Sequence, residues 1–342
     1  MNQQQSYYTH FLVVILLLVV FILINLSLGS VEIPFKAIIQ TLIGNNTSKE
    51  SWQYIILDYR LPKAITAILV GAGLSISGLL MQTLFRNPLA GPFVLGISSG
   101  ASLGVALLVL GVSTFSGSLA GLSFSNFGIA IAASIGSLLV LSMVMLVARK
   151  VKNTMSILII GLMFGSFTAA IISVLAYFSP AEKLQQYVFW TFGSLGNLGW
   201  SEISILAIVF FLCIGLLLTI IKPLNSLLLG ENYAISLGVN LKKTRNLTLI
   251  ITGILTGVIT AFSGPIAFIG LAVPHLTKLI IKTSNHKILL PAVAIIGAII
   301  MLISDTIAQL PTSEYTLPIN AVTSLFGAPI VIWLLIRKRS LN

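Results

Sequence analysis

Charge is what this sequence lacks most. Only 8% of its 342 residues are Asp, Glu, Lys or Arg, where a water-soluble domain carries about 25% to cover its surface. A chain this poor in charge cannot wet its exterior, so the exterior faces lipid. Cysteine is nearly absent. Cys213 is the single thiol and sits inside an apolar block, which excludes an intramolecular disulfide and a thiolate metal cluster and leaves it as core filling. Histidine is scarce as well. His10, His275 and His286 lie far apart with no accompanying carboxylate, so no metal site is expected. The dipeptide Gly-Lys does not occur, and without it there is no phosphate-cradling P-loop. The chain therefore cannot power itself by nucleotide hydrolysis. No nucleophile–base constellation stands out, so no catalytic residue, enzymatic activity or cofactor is expected.

What the sequence has instead is apolar residues in blocks. They make up 57% of the chain, with a mean hydropathy of +1.06. The blocks run to roughly 20 residues, the length that crosses about 30 Å of hydrocarbon as a helix. The period-2 alternation of a transmembrane barrel is missing. The expected fold is all-α, a polytopic membrane protein with about ten transmembrane helices at 9–29, 62–84, 92–111, 127–148, 154–177, 201–221, 246–262, 265–283, 288–309 and 318–336. The first block follows a neutral polar leader without a basic region or a small-residue cleavage site, and reads as a retained span. Ser263-Gly264-Pro265 interrupts an otherwise continuous apolar run. Such breaks are tolerated at membrane depth only against protein or a water-filled cavity, so this one is a candidate pathway-lining element. Residues 1–342 read as one transmembrane domain, with external segment 30–61 and cytoplasmic connection 222–245 as its longest loops.

A formal charge of +11 could suggest nucleic acid, but the basic residues lie between apolar blocks rather than along one face, and that reading is rejected. With the N-terminus inside, the inner loops hold Arg86; Arg149, Lys150 and Lys152; Lys222, Lys242, Lys243 and Arg245; Lys278, Lys282 and Lys287; and Arg337, Lys338 and Arg339. Lys36, Lys49, Arg60, Lys63 and Lys183 are left outside. Basic residues near span ends stay cytoplasmic, so this bias supports both the span count and an orientation with both termini cytoplasmic. Asp305 is the one acid placed within a span. It lies close to the external end, where an anchoring role is favoured over substrate contact. His275 is expected to pack with a backbone hydrogen bond. Gly71, Gly73, Gly78, Gly96 and Gly100, with neighbouring Ala and Ser, are small residues of the kind through which membrane helices approach closely.

Several ordered words carry a resemblance. Arg60-Leu61-Pro62-Lys63, Gly71-Ala72-Gly73-Leu74, Arg86-Asn87-Pro88-Leu89-Ala90-Gly91-Pro92 and Leu95-Gly96-Ile97-Ser98-Ser99-Gly100-Ala101 stand in the first half. Trp190 with Gly193-Ser194, Leu229-Gly230-Glu231 through Leu237-Gly238-Val239, Gly264 to Leu271 with Val273-Pro274-His275, Glu314 with Pro318, and Gly327-Ala328-Pro329 follow in the second. In this order the chain resembles the FecCD family of permeases, importers of ferric siderophores, haem and vitamin B12 and similar to the vitamin B12 permease type.

The resemblance implies a type II ABC importer permease fold in the bacterial inner membrane. Its implied partners are two ATP-binding subunits, a periplasmic or lipid-anchored substrate-binding protein, and a second permease copy or paralogue. Arg60 and Lys63 match an external basic pair that meets acidic residues of the binding protein; anchoring of a helix end at the headgroups is the alternative. The family shows an arginine where this chain has Gln309, so one docking cation is missing. Asn87 and Leu89 match a cytoplasmic gate, against the alternative of a plain tight loop, and Thr154 matches a further gate contact. Gly230 to Gly238 match the coupling helix that fits a cleft in the ATPase, with a solvated loop as the alternative. Within it Tyr233, Ala234 and Leu237 fall on one face, Glu231 suits the positive helix end and Gly238 suits a C-cap. The cargo implied is a ferric siderophore first, haem second, or cobalamin. The competing class is an ion-coupled secondary transporter, which needs ionisable residues near mid-membrane.

Overall fold

The computed structural model describes residues 3–45, 49–111, 126–151, 154–311, 313 and 315–339. Among the described residues every regular element is a helix. Seven are long and apolar enough to cross a membrane, and three shorter apolar helices, Ile97–Gly111, Ile269–Ile281 and Ile319–Trp333, bring the number to the ten expected from the apolar blocks. The long ones are α1 (Gln3–Ser27), α4 (Leu61–Leu84), α6 (Asn126–Lys150), α7 (Thr154–Tyr177), α9 (Trp200–Leu218), α12 (Leu241–Ser263) and α14 (His286–Ala308). The helices with shorter apolar stretches are α5 (Ile97–Ala106) with its π-helical extension, α13 (Ile269–Ile281) and α15 (Ile319–Arg339). Short helices α2 (Phe35–Leu42), α3 (Glu50–Tyr54), α8 (Ala181–Thr191), α10 (Ile221–Leu227) and α11 (Glu231–Ser236) sit in the connections.

Two connections are more structured than the apolar pattern suggests. The second span does not begin at Pro62: the helix is continuous from Glu50 to Leu84. A π-helical segment, Ile55–Arg60, lies just ahead of the proline. Pro62 has no N–H to give an α-helical ladder, and the wider π turn absorbs that defect. The 222–245 connection likewise contains α10 and α11 rather than open loop.

Helix α4 is the axis of the bundle. Almost all of its residues are buried, and α12, α13 and α14 pack around it. The glycines explain how. A Cβ at Gly71 would stand 2.3 Å from the carbonyl oxygen of Gly297 in α14, and one at Gly78 would stand 1.6 Å from that of Gly270 in α13. No side chain fits either crossing. The backbones touch, which is how membrane helices gain packing energy when lipid supplies no hydrophobic drive. Helices α7 and α9 carry large exposed apolar side chains such as Phe167 and Phe211, as a lipid-facing or partner-facing surface requires.

The break after α12 is real and is packed in protein. Gly264 (φ 72°) and Phe268 (φ 65°) turn the chain sharply. Its orphaned backbone groups find partners in distant segments: Ser194 N–H donates to Ser263 O at 2.9 Å and Ala267 N–H to Asn320 Oδ1, at the start of α15, at 3.1 Å. This is the condition for irregular backbone at membrane depth.

Candidate functional site

Polar side chains gather at the two ends of the bundle. At the end where α4 begins, Asp305 is buried and accepts three partners. Lys63 Nζ stands 3.0 Å from its Oδ1, and Asn25 Nδ2 and Gln309 Nε2 donate to its Oδ2 at 2.9 and 2.8 Å. Arg60, only 4% exposed, closes the same end. Its Nη1 donates to the carbonyls of Leu26 at 2.7 Å and Ser27 at 2.8 Å, and its Nη2 donates to Val31 O. A guanidinium is suited to this because it is a rigid fork of donors, and a cation belongs at the carbonyl-rich end of α1. The sequence placed Arg60 and Lys63 on an external docking face. The structure turns both inward, because the C-terminus of α1 and the Asp305 carboxylate each demand a buried cation. A cavity of about 500 Å³ opens beside Lys63 and Asp305, walled also by Tyr59, Phe189, Phe192, Asn197 and Pro318.

At the opposite end α4 runs into the Arg86–Pro92 turn. Arg86 takes a positive φ of 48°. Asn87 Oδ1 then accepts the Leu89 N–H at 2.9 Å and Asn87 O the Ala90 N–H at 3.1 Å, an Asx-type turn that leaves Leu89 exposed. His275, from α13, meets Pro88 O at 2.7 Å through Nε2, which is the backbone contact expected of it. Thr154 opens α7, but its side chain lies outside the described residues.

The 230–238 stretch forms α11 between two glycines. Gly230 (φ 118°) and Gly238 (φ 79°) hold conformations that a Cβ disfavours. Gly238 N–H donates to Ile235 O at 2.8 Å and Val239 N–H to Ala234 O at 3.0 Å, the paired bonds of a Schellman cap. Glu231 opens the helix. The expected ridge is corrected in one member. Ala234 is fully buried, while Tyr233, Ile235 and Leu237 are each more than half exposed. In a six-residue helix, neighbouring elements choose the buried face, and Ala234 is small enough to be that face. The start of α11 adjoins the turn after α4, since a Cβ at Gly230 would lie 3.9 Å from the Arg86 guanidinium. Sequence reasoning missed Asn25, Thr83 and Asn225, which are ordinary polar residues until the fold pairs them with Asp305 and His286.

No group of three or more His, Cys, Asp or Glu that could hold a metal occurs among the described residues. A bundle of long apolar helices that meet backbone to backbone and carry large apolar side chains on the outside is the architecture of a membrane protein. Residues 17–337 match the FecCD transport family, and the chain belongs to that family. It is 37% identical over 291 residues to the vitamin B12 import system permease protein BtuC of Salmonella paratyphi A, covering 84% of this chain and 85% of that one. It is 36% identical over 321 residues to the hemin transport system permease protein HmuU of Yersinia pestis, covering 93% and 94%. A solved chain described as a metal-chelate type ABC transporter in an inward-facing conformation superposes with a TM-score of 0.83 at 31% identity, over 98% of this chain and 99% of that one. PsaBC from Streptococcus pneumoniae, at 14% identity and a TM-score of 0.53, shares the fold alone.

Proposed function

We propose that this chain is the membrane permease of an ABC importer that carries a metal chelate across the bacterial inner membrane, driven by a separate pair of ATP-binding subunits. One observation carries the reading: α11 and the residue that ends it present Tyr233, Ile235 and Leu237 to the outside of the fold, while Gly230, just ahead of α11, lies beside the Arg86 guanidinium at the head of the Arg86–Leu89 turn. An exposed apolar surface of this kind on a connection between spans fits a protein partner. Displacing it displaces the turn. The single transmembrane domain then has its coupling segment at 222–245, its gate at Asn87, Leu89 and Thr154, and its cytoplasmic face at the Arg86 end. A second copy or a paralogue completes the pathway along the exposed apolar helices, and a substrate-binding protein delivers cargo at the Lys63 end. Arg60 and Lys63 contribute there by fixing the shape of the docking face from within. The cargo is a ferric siderophore, haem or cobalamin; the vitamin B12 and hemin permeases among its relatives support the two tetrapyrrole-type chelates over the siderophore.

The ion-coupled alternative needs a carboxylate free to load and release an ion in mid-membrane, and Asp305 is committed to Lys63. Proteoliposomes holding the chain with its ATPase and binding protein test the proposal. Uptake of one of the three chelates is expected to require ATP and to survive collapse of the ion gradients. Uptake that follows the gradient and ignores ATP overturns it.

A further inference from the structure

His286 opens α14 and has no exposed surface. Its neighbours are set by backbone chemistry. The His286 N–H donates to Asn225 Oδ1 at 2.8 Å, so the amide oxygen of Asn225 must face the histidine. The ring Nδ1 lies 2.7 Å from the same oxygen. An acceptor cannot face an acceptor, so Nδ1 carries a proton. The opposite ring nitrogen, Nε2, is 2.9 Å from the hydroxyl of Thr83, whose one proton it shares with the carbonyl of Leu79 on the same helix, also at 2.9 Å. Asn225 Nδ2 in turn donates to Asn285 Oδ1 at 3.0 Å, and that oxygen caps the start of α14 by accepting the Lys287 N–H.

These contacts join three elements in one chain, buried at His286 and Thr83, half-buried at Asn225 and open at Asn285. Asn225 is in α10, which runs directly into α11. His286 is the first residue of α14. Thr83 is on the last turn of α4, three residues before Arg86. Helix α10 cannot slide independently of this chain, because Leu224 and Leu227 are buried and α10 packs on both α4 and α14. Buried polar groups have definite partners and tolerate little displacement without losing them. Apolar packing around the same residues would allow slippage that this chain forbids.

We infer that His286 is a positioning residue that passes the movement of the 221–238 segment to the last turn of α4, and through it to the Asn87–Leu89 turn, by holding Asn225 and Thr83 on opposite nitrogens of one ring. The inference rests on the reading of the chain as an ATP-driven permease, and it names a link that neither the exposed helix nor the turn contains.

The test uses the complete complex, reconstituted with its ATPase and binding protein, and reads ATP hydrolysed per chelate transported. Thr83→Val removes the hydroxyl at nearly constant volume. His286→Asn keeps a donor where Nδ1 stood and loses the reach to Thr83. Both are expected to assemble with the ATPase and hydrolyse ATP, with the ATP spent per chelate rising about 3- to 30-fold, the range typical of residues that transmit coupling. Thr83→Ser, which restores the hydroxyl, is expected to recover the wild-type ratio. Unchanged ratios in Thr83→Val and His286→Asn overturn the inference, as does failure of Thr83→Ser to recover what Thr83→Val loses. A residue that merely stabilised the fold would lower the amount of complex and leave the ratio alone. Wild-type complex that transports without ATP dependence would instead defeat the underlying reading.

Discussion

Asp305 was visible in the sequence as the one acid inside a span, and intramembrane acids attract a functional reading. Its place near the external end favoured anchoring instead, and the structure agrees, because a carboxylate with Lys63, Asn25 and Gln309 around it is a fastening. A buried ion pair contributes little beyond its own desolvation, but removing one partner strands the other. Asp305→Ala is therefore expected to lower the stability of the detergent-purified chain by about 3–5 kcal/mol. The double variant Lys63→Met with Asp305→Leu should recover most of that loss, since it removes both charges. Thermal unfolding followed by tryptophan fluorescence measures both. If the double variant is no better than the single, the ion pair is not the reason Asp305 matters. The partners were illegible beforehand for a plain reason. Asn25 reaches Asp305 across 280 positions of sequence, and nothing local to either residue announces the other.

The same limit appears among the elements. Among the described residues the ten apolar blocks correspond to seven long helices and three with shorter apolar stretches, because length and hydropathy are local properties, and the small residues of α4 correctly marked a closely approached surface. The second span, however, starts at Glu50, since the π turn before Pro62 depends on how the chain is held there. Helix α11 was legible as a short capped helix from Glu231 and Gly238 with Tyr233 and Leu237 on its apolar ridge, yet the burial of Ala234 was not, because six residues do not contain the contacts that bury it. Gly238→Ala is expected to cost about 1 kcal/mol, since Gly238 sits in a left-handed conformation. Leu237→Asp should leave folding intact and weaken capture of the ATPase by roughly 30-fold or more, as loss of a buried interface anchor does. Ala234→Leu should do the reverse, destabilising the chain by about 1–3 kcal/mol through overpacking. Affinity for the purified ATPase and unfolding temperature, measured on both variants, separate the two faces. Equal effects of Ala234→Leu and Leu237→Asp on binding would mean that the partner uses a different surface.

At the scale of the whole molecule, the alternating helices collect the charge that the sequence scattered. Arg86, Arg149, Lys150, Lys222, Lys242, Lys243, Arg245, Lys278, Lys282 and Lys287 all flank helix ends on the side of the Arg86 turn, where Arg245 also ties α12 to the carbonyl of Ala148 at 2.9 Å. The other end keeps few cations and buries two of them, Arg60 and Lys63. Retention of basic loops in the cytoplasm is the ground for the proposed orientation of the bundle, and the orientation decides whether α11 can meet an ATPase at all. Cysteine labelling checks it cleanly, because Cys213 is buried and can be replaced by Ala. In that background Tyr315→Cys, at the Lys63 end and 81% exposed, should react with a membrane-impermeant maleimide in intact cells. Leu229→Cys, beside α11 and 65% exposed, should react only after the membrane is opened. The reverse pattern would place α11 outside, away from any nucleotide-driven partner, and the proposed direction of coupling from α11 through His286 to the turn at Asn87 would have no source of work.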